Sequence, residues 1–264
     1  MISDRGALLD ALAEASRAAG EAILEIVRRG FDVEAKGDSS PVTEADHAAE
    51  ALLLAALAEV APGVPVIAEE EVAAGRIPAH GEIYFLVDPL DGTKEFIRGG
   101  DDYTVNVGLI ERGAPVLGVV YAPATDTLYG GIVGEGAWRD AGAGREPITV
   151  RPLGPLVTAV ASKSHFSKPT ADYLETVAAK DHVSVGSSLK FCLVAEGKAD
   201  IYPRLGPTSE WDTAAGHAVL LAAGGLVDGT DGAPLAYGKA RFLNRAFVAT
   251  SGFRPPILEP FLEA

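Results

Sequence analysis

Leu86-Val87-Asp88-Pro89-Leu90-Asp91-Gly92-Thr93-Lys94 is the stretch from which the rest of the chain can be read. An apolar strand runs straight into two carboxylates three residues apart, with a proline between them. Pro89 restrains φ and removes an N–H, stiffening a turn that can aim both acids at one point, and the Leu90 carbonyl is left free as a third oxygen ligand. Gly92 allows close backbone approach. Thr93 opens the short segment Thr93 to Ile97, whose unpaired N–H groups would suit a phosphate if the segment is helical. Asp-Pro and Asp-Gly are also ordinary turn punctuation, and Thr93 an ordinary cap, so this stretch needs support from elsewhere in the chain.

Support comes from both sides. Glu69, Glu70 and Glu71 end the preceding apolar strand, so in a sheet the Glu69 and Asp88 ends can lie side by side; Glu71 and Glu70 read as a solvated loop. Like charges about 4 Å apart repel by roughly 4 kcal/mol at an effective dielectric near 20, so converging acids call for a cation or for shifted protonation. Oxygen donors without His or Cys point to Mg²⁺. A fourth acid, Asp212, stands in Glu210-Trp211-Asp212-Thr213-Ala214-Ala215-Gly216, where Trp supplies a buried anchor and Ala-Ala-Gly lets a helix start pack closely. Taken alone, Asp212 reads as an N-cap, and Thr43-Glu44-Ala45-Asp46 as a capping-box-like helix start.

Around these acids the chain has 264 residues, 48% hydrophobic and 22% charged, which is ample for a large buried core. Its 37 acidic and 22 basic side chains leave a net charge of −15, the opposite of what a nucleic-acid or anionic-membrane binder needs. Any anionic ligand must be met locally, by metal ions or a few placed Lys and Arg residues. The single cysteine, Cys192, permits no internal disulfide and sits in an apolar helix stretch, where it reads as core. A cytoplasmic address is the default, with a peripheral position on the cytoplasmic face of the membrane as the alternative. The N-terminus reads as neither signal nor transit peptide, and the apolar stretch Ala51 to Ala58 is too short to span a bilayer.

Apolar periodicity predicts helices over residues 4–29 and 43–60, stopped by Gly30 and Pro62-Gly63. Strands are expected at Val64 to Ala68, Ile83 to Val87, Tyr103 to Ile110, Val116 to Tyr121 and Leu128 to Val133, joined by hairpin-turn chemistry and therefore largely antiparallel. After a Gly- and Pro-rich stretch from Asp140 to Pro155, strand and helix alternate: Leu156 to Ala161, a helix near Pro169 to Ala179, Val183 to Val185, a helix near Ser188 to Glu196, and Ala199 to Pro203. A helix near Thr213 to Ala223 and strands near Leu226 and Phe247 close the chain. This predicts an α+β lobe over residues 1–150, holding most of the acids, and an α/β lobe over 151–264 with Asp212, meeting at a packed hinge or cleft.

Ile67-Ala68-Glu69-Glu70, Asp88-Pro89-Leu90-Asp91-Gly92-Thr93 and Trp211-Asp212-Thr213-Ala214-Ala215-Gly216 resemble, in order and spacing, the motifs of the inositol monophosphatase superfamily, and Thr43-Glu44-Ala45-Asp46 resembles its upstream motif. The resemblance runs from about residue 36 to 250. It implies a layered αβαβα sandwich with the active site between two lobes, and hydrolysis of a small phosphomonoester with two or three Mg²⁺ ions, commonly inhibited by Li⁺. It makes Glu69, Asp88 and the Leu90 carbonyl ligands of one ion, and Asp88, Asp91 and Asp212 ligands of a second. It also makes Asp46, Thr93 and Glu69 catalytic, the Asp46 carboxylate polarising the Thr93 hydroxyl that helps to activate water. Two ions can supply the charge stabilisation that phosphoryl transfer chiefly needs.

Within that superfamily, Gly186-Ser187-Ser188-Leu189-Lys190-Phe191-Cys192, Tyr202-Pro203-Arg204-Leu205-Gly206-Pro207 and Lys94-Glu95-Phe96 resemble the 3'(2'),5'-bisphosphate nucleotidase branch. In the inositol-specific branch the position matching Arg204 is typically an acid. An arginine suits a second phosphate, and Ser187 and Lys190, one turn apart on one helix face, would assist. The implied substrate contacts are Leu90, Asp91, Gly92, Thr93, His165, Ser187, Lys190, Arg204 and Asp212. The bland alternatives are a surface salt bridge for Arg204, a snorkelling lysine for Lys190 and a satisfied loop residue for His165. His217 reads as packing, and Lys36 as a possible neutraliser of the acids. The expected activity is removal of the 3'-phosphate of adenosine 3',5'-bisphosphate to give AMP, with the sulfated precursor as a second substrate. An inositol monophosphatase or sugar bisphosphatase on the same scaffold, or a catalytically silent metal-binding regulator, are the alternatives. The expected partner is a small phosphorylated nucleotide, with no nucleic acid and no integral membrane segment; monomer and homodimer both stay open.

Overall fold

Ile83–Asp91 is the second strand of a sheet whose order follows the chain: Val66–Ala68, Ile83–Asp91, Thr104–Glu111, Ala114–Ala122, Thr127–Ile132, Gly136–Asp140 and Arg145–Ile148. This is seen in a computed structural model that describes residues 4–31, 33–35, 41–164, 166–179 and 182–262. The first pair is parallel and the others antiparallel, as the turn chemistry implies. The last two strands lie partly within the stretch read as a Gly- and Pro-rich connector. Arg145–Ile148 is mostly exposed, so hydrogen bonding to its neighbour makes it an edge strand without apolar alternation to announce it.

Alternate residues of a strand face opposite sides of the sheet. Phe85, Val87, Val105, Val107, Leu117 and Val119 join a core with the helices Arg5–Arg29 and Glu44–Val60. Asp4 caps the first of these by accepting from the Ala7 N–H at 2.8 Å. Tyr84, Leu86, Ile110 and Val120 belong to a second core with the helices Leu189–Ala195 and Trp211–Ala222.

Among the described residues a second sheet holds five strands, in the order His182–Val185, Ala159–Ser162, Ile201–Arg204, Phe247–Thr250 and Leu226–Asp228. The first three run parallel and the last two are joined antiparallel. A third core, including Tyr173, Ile201, Val248 and Leu258, lies between this sheet and the outer helices Lys168–Thr176 and Glu259–Leu262. The layers are therefore helix, sheet, helix, sheet, helix: the αβαβα sandwich. Among the described residues no helix is long and apolar enough to cross a membrane.

The central layer touches the large sheet through small residues. Gly108, Gly118 and Gly131 stand opposite one another on adjacent strands. A Cβ on Gly118 would lie 2.3 Å from the Ala215 carbonyl oxygen, and one on Gly108 would lie 2.8 Å from the Ala214 Cβ. The helix Trp211–Ala222 thus rests on bare backbone, and it starts two residues earlier than the expected Thr213. Overpacking so tight a contact costs about 1–3 kcal/mol. Gly118→Ala should lower the midpoint of urea unfolding by a corresponding amount; an unchanged midpoint would show that this helix is free to shift.

Candidate active site

Residues three apart on a regular strand point to opposite faces, yet Asp88 and Asp91 both line one pocket. The register explains this: Asp88 pairs with Asn106 and Asp91 with Thr104, so the strand gains one extra residue against its neighbour. That bulge, at Pro89-Leu90, returns Asp91 to the face of Asp88. Asp88 Oδ1 accepts from the Leu90 N–H at 3.0 Å, which tightens the turn. The Leu90 carbonyl, expected to be free, accepts from Thr93 Oγ1 at 3.1 Å and keeps its second lone pair for a ligand. Gly92 has φ 96°, and a Cβ there would meet the Asp102 carbonyl oxygen at 2.7 Å, so glycine is required. The helix Thr93–Ile97 follows.

Parallel pairing of Ala68 with Val87 places the Glu69 and Asp88 ends side by side, as expected. The Glu run departs from expectation. It begins a short helix, Glu69–Ala73, in which Glu70 is buried and Glu71 pairs with Arg76. Glu50 Oε2 accepts the Glu70 N–H at 2.8 Å, satisfying a donor in the first turn of that helix. Burial, followed by repulsion from Glu70, Glu71 and Glu69, holds the Glu50 carboxyl up at about 7 despite that bond.

Asp46 is buried at the start of the helix Glu44–Val60 and serves two ends. Its Oδ2 accepts from the Thr43 N–H and Thr43 Oγ1, each at 2.7 Å. Its Oδ1 faces Thr93 Oγ1 at 3.4 Å, a long contact that the hydroxyl shares with the Leu90 carbonyl. Asp212 is the second residue of its helix rather than the N-cap, and its Oδ2 accepts from the Ser209 N–H at 2.9 Å. Ser188, not anticipated as a site residue, lies between two acids: its Oγ is 3.1 Å from Asp91 Oδ2 and 2.7 Å from the Asp212 carbonyl oxygen.

The pocket, of about 260 Å³, is lined by Glu69, Asp88, Leu90, Asp91, Gly92, Thr93, Ser187, Lys190, Arg204 and Asp212, all anticipated, and by Lys94, Glu95, Ser162, Tyr202, Thr208 and Thr213 among others. Asp46 reaches it through Thr93. His165 and Lys36 lie outside the described residues. Ser187 corrects one expectation: it precedes the helix Leu189–Ala195 in a left-handed conformation, φ 48°, so it does not share a helix face with Lys190. Lys190 is buried and donates to the carbonyls of Val185 and Ser187, pinning that loop. Arg204 donates to the carbonyls of Gly206, at 3.3 Å, and Pro207, at 3.0 Å, and no carboxylate among the described residues pairs with it. The described residues thus give it no surface salt bridge. Cys192 and His217 are buried, as expected of packing residues.

Burial pushes the Asp91 carboxyl up against the pull of Lys190 and Ser188, and raises Asp212 well above the carboxylate range with the help of Asp91 and Glu69. Such acids suit a hard cation, which would offset both burial and repulsion. Glu69, Asp88, Asp91, Asp212 and the Leu90 carbonyl are the oxygen donors that could hold one. Among the described residues no group of three Asp, Glu, His or Cys side chains is gathered closely enough to hold a metal ion, and the four carboxylates and Leu90 line one pocket.

The model of the inositol monophosphatase family matches residues 4–255. The 3'(2'),5'-bisphosphate nucleotidase CysQ of Escherichia coli (strain K12) is 45% identical over 243 residues, 91% of this chain and 98% of that protein. The CysQ nucleotidase of Salmonella typhimurium is 44% identical over 246 residues, 92% of this chain and 99% of that protein. Among solved structures, CysQ from Bacteroides thetaiotaomicron has a TM-score of 0.79 at 37% identity, covering 94% of this chain and 98% of that one. The inositol monophosphatase from Anabaena has a TM-score of 0.75 at 28% identity, covering 97% and 94%. The chain belongs to the inositol monophosphatase family.

Burial, with Arg204 as a neighbour, lowers the Lys190 ammonium to about 8 although Asp91 works against it. Between that value and the usual 10.5 the unfolded chain holds a proton that the folded one has released, so this group makes stability rise with pH across that window. Wild type should gain on the order of 2 kcal/mol relative to Lys190→Met between pH 7 and pH 9.5, measured by urea unfolding. A constant difference would mean that the amine keeps an ordinary proton affinity.

Proposed function

We propose that this member of the family removes the 3'-phosphate of adenosine 3',5'-bisphosphate, giving AMP and inorganic phosphate, with Mg²⁺ as its cofactor. The observation that carries the reading is one pocket lined by five carboxylates and also by Lys94, Lys190 and Arg204, in a chain of net charge −15. A monophosphate needs the acids and their cations. The additional basic side chains suit a second phosphate, and the 45% identity to the CysQ nucleotidase agrees.

In this reading Glu69, Asp88 and the Leu90 carbonyl would hold one Mg²⁺ and Asp88, Asp91 and Asp212 a second, with a third ion as the upper limit. When bound, Mg²⁺ supplies positive charge at the scissile phosphate and at the departing 3'-oxygen. The chain's own groups do the positioning. Thr43 holds one oxygen of Asp46, so the other stays turned to Thr93. The Thr93 hydroxyl, polarised by that carboxylate, orients the water that attacks phosphorus as the bond to the 3'-oxygen breaks. Arg204 and Lys190 clamp the 5'-phosphate, which is not cleaved, and Ser187 and Gly92 border the same cavity. The sulfated precursor presents a similar anion at that end and is the second substrate.

Asp91→Asn and Asp212→Asn should each lower turnover by about a hundredfold or more while leaving the fold intact, because each removes charge from the set that would hold the second ion. Phosphate release at saturating Mg²⁺, with circular dichroism for the fold, checks this; wild-type rates in either variant would sink the assignment. The substrate is tested by comparing kcat/KM for adenosine 3',5'-bisphosphate, the sulfated precursor and inositol 1-phosphate. The Arg204 contact is made in ground and transition states alike, so Arg204→Ala should mainly raise KM. A charge-assisted bond of roughly 1.5–3 kcal/mol corresponds to about a 10- to 150-fold loss in kcat/KM on the bisphosphate, with little change on inositol 1-phosphate. An equal fall on both substrates would make Arg204 a loop brace and favour the inositol phosphatase reading.

A further inference from the structure

The segment Tyr237-Gly238-Lys239-Ala240-Arg241-Phe242-Leu243-Asn244 lies behind the turn that carries Asp212. Thr208 and Ser209 pair as strand partners with Asn244 and Leu243. Asn244 is fully buried. Its Nδ2 lies 3.0 Å from Thr213 Oγ1, 3.3 Å from the Ser209 carbonyl oxygen and 3.4 Å from Thr208 Oγ1, while its Oδ1 accepts from Lys239 Nζ at 3.0 Å. Lys239 Nζ also donates to Glu210 Oε1 at 3.0 Å, and Glu210, fully buried, accepts from the Gly238 N–H at 2.9 Å. The turn is thus held at residues 208, 209, 210 and 213, and Asp212 hangs between these points, its carboxylate fixed by the Ser209 N–H.

A primary amide is the side chain that meets this demand. It must donate to oxygens of the turn and accept from an ammonium, which leucine cannot do and an ionised aspartate can do only in part. Its orientation follows from its partners: oxygen to Lys239, nitrogen to the turn. The other side of Thr213 is also used. Tyr237 Oη donates to Thr213 Oγ1 at 3.1 Å and lies 3.0 Å from His217 Nδ1. Burial lowers His217 to about 3, so the ring beside Tyr237 is neutral.

We infer that Asn244 is a positioning residue for Asp212, aiming its carboxylate into the pocket through the Ser209 and Thr213 ends of the turn. The inference rests on the proposed role of Asp212 as a cation ligand. Groups that orient ligand side chains carry roughly 10- to 100-fold in metal affinity or activity. Asn244→Leu, close to isosteric, should raise both the calorimetric Kd for Mg²⁺ and the Mg²⁺ concentration for half-maximal activity by that factor. KM for the bisphosphate at saturating Mg²⁺ should stay within about twofold, because Arg204 and Lys190 sit on other elements. Tyr237→Phe keeps the ring and removes one bond, so it should shift Mg²⁺ affinity in the same direction by less; it carries the test if Asn244→Leu does not fold. Unchanged Mg²⁺ affinity in the folded variant overturns the inference, as does an equal rise in bisphosphate KM, which would mark general collapse of the pocket. Asp212→Asn separates the two levels. If it loses Mg²⁺ affinity and the folded Asn244→Leu does not, the positioning role alone fails; if Asp212→Asn binds Mg²⁺ like wild type, the ligand reading fails and the inference falls with it.

Discussion

The direct contact between the helix Trp211–Ala222 and the glycine row of the large sheet is the constraint on which the site depends. Gly108, Gly118 and Gly131 lie opposite one another, and Ala214, Ala215, Ala218 and Ala222 meet them without intervening side chains. Backbone packed on backbone leaves little freedom to slide, because dense interiors resist even methyl-sized changes. The position of the helix is therefore set by the sheet. Its first turn, with Asp212, comes to the strand end where Asp88 and Asp91 emerge, which is how acids from opposite halves of the chain share one cavity.

A β-bulge does the corresponding work within the sheet. Without the extra residue at Pro89-Leu90, the period of the strand would send Asp91 to the face occupied by the N-terminal helices. With it, Asp91 turns to the face of Asp88, into a pocket where burial and repulsion from Glu69 oppose its ionisation, and where burial with repulsion from Asp91 and Glu69 opposes that of Asp212. The surrounding structure offsets part of that cost with donors: the Leu90 N–H to Asp88, Ser188 Oγ to Asp91, the Ser209 N–H to Asp212, and Thr43 to Asp46. Acids arranged in this way suit a hard divalent cation, whose charge would offset both burial and repulsion.

The opposite charges in the pocket have different supports. Lys190 is buried and ties down the 185–187 loop. Arg204 braces its own loop through two carbonyls and has no described carboxylate partner. In so acidic a chain, Lys94, Lys190 and Arg204 share one cavity with five carboxylates, so basic and acidic groups meet there at close quarters.

Much of this was legible in the order of residues. Local chemistry determined the helix Arg5–Arg29 with its stop at Gly30, the capped helix Glu44–Val60, the buried strands, and an acidic stretch that could be matched to a metal-dependent phosphatase. Each of these rests on neighbours in sequence, where periodicity, caps and turns act. The tertiary structure decided what depends on partners far along the chain. It made an edge strand of Arg145–Ile148, buried Glu70 against Glu50, moved Ser187 off the helix, engaged the Leu90 carbonyl with Thr93, and brought in Ser188 and Asn244. A serine or asparagine looks the same in sequence whether it caps a turn or braces a buried acid. The difference lies in which distant oxygen it meets, and only packing sets that distance.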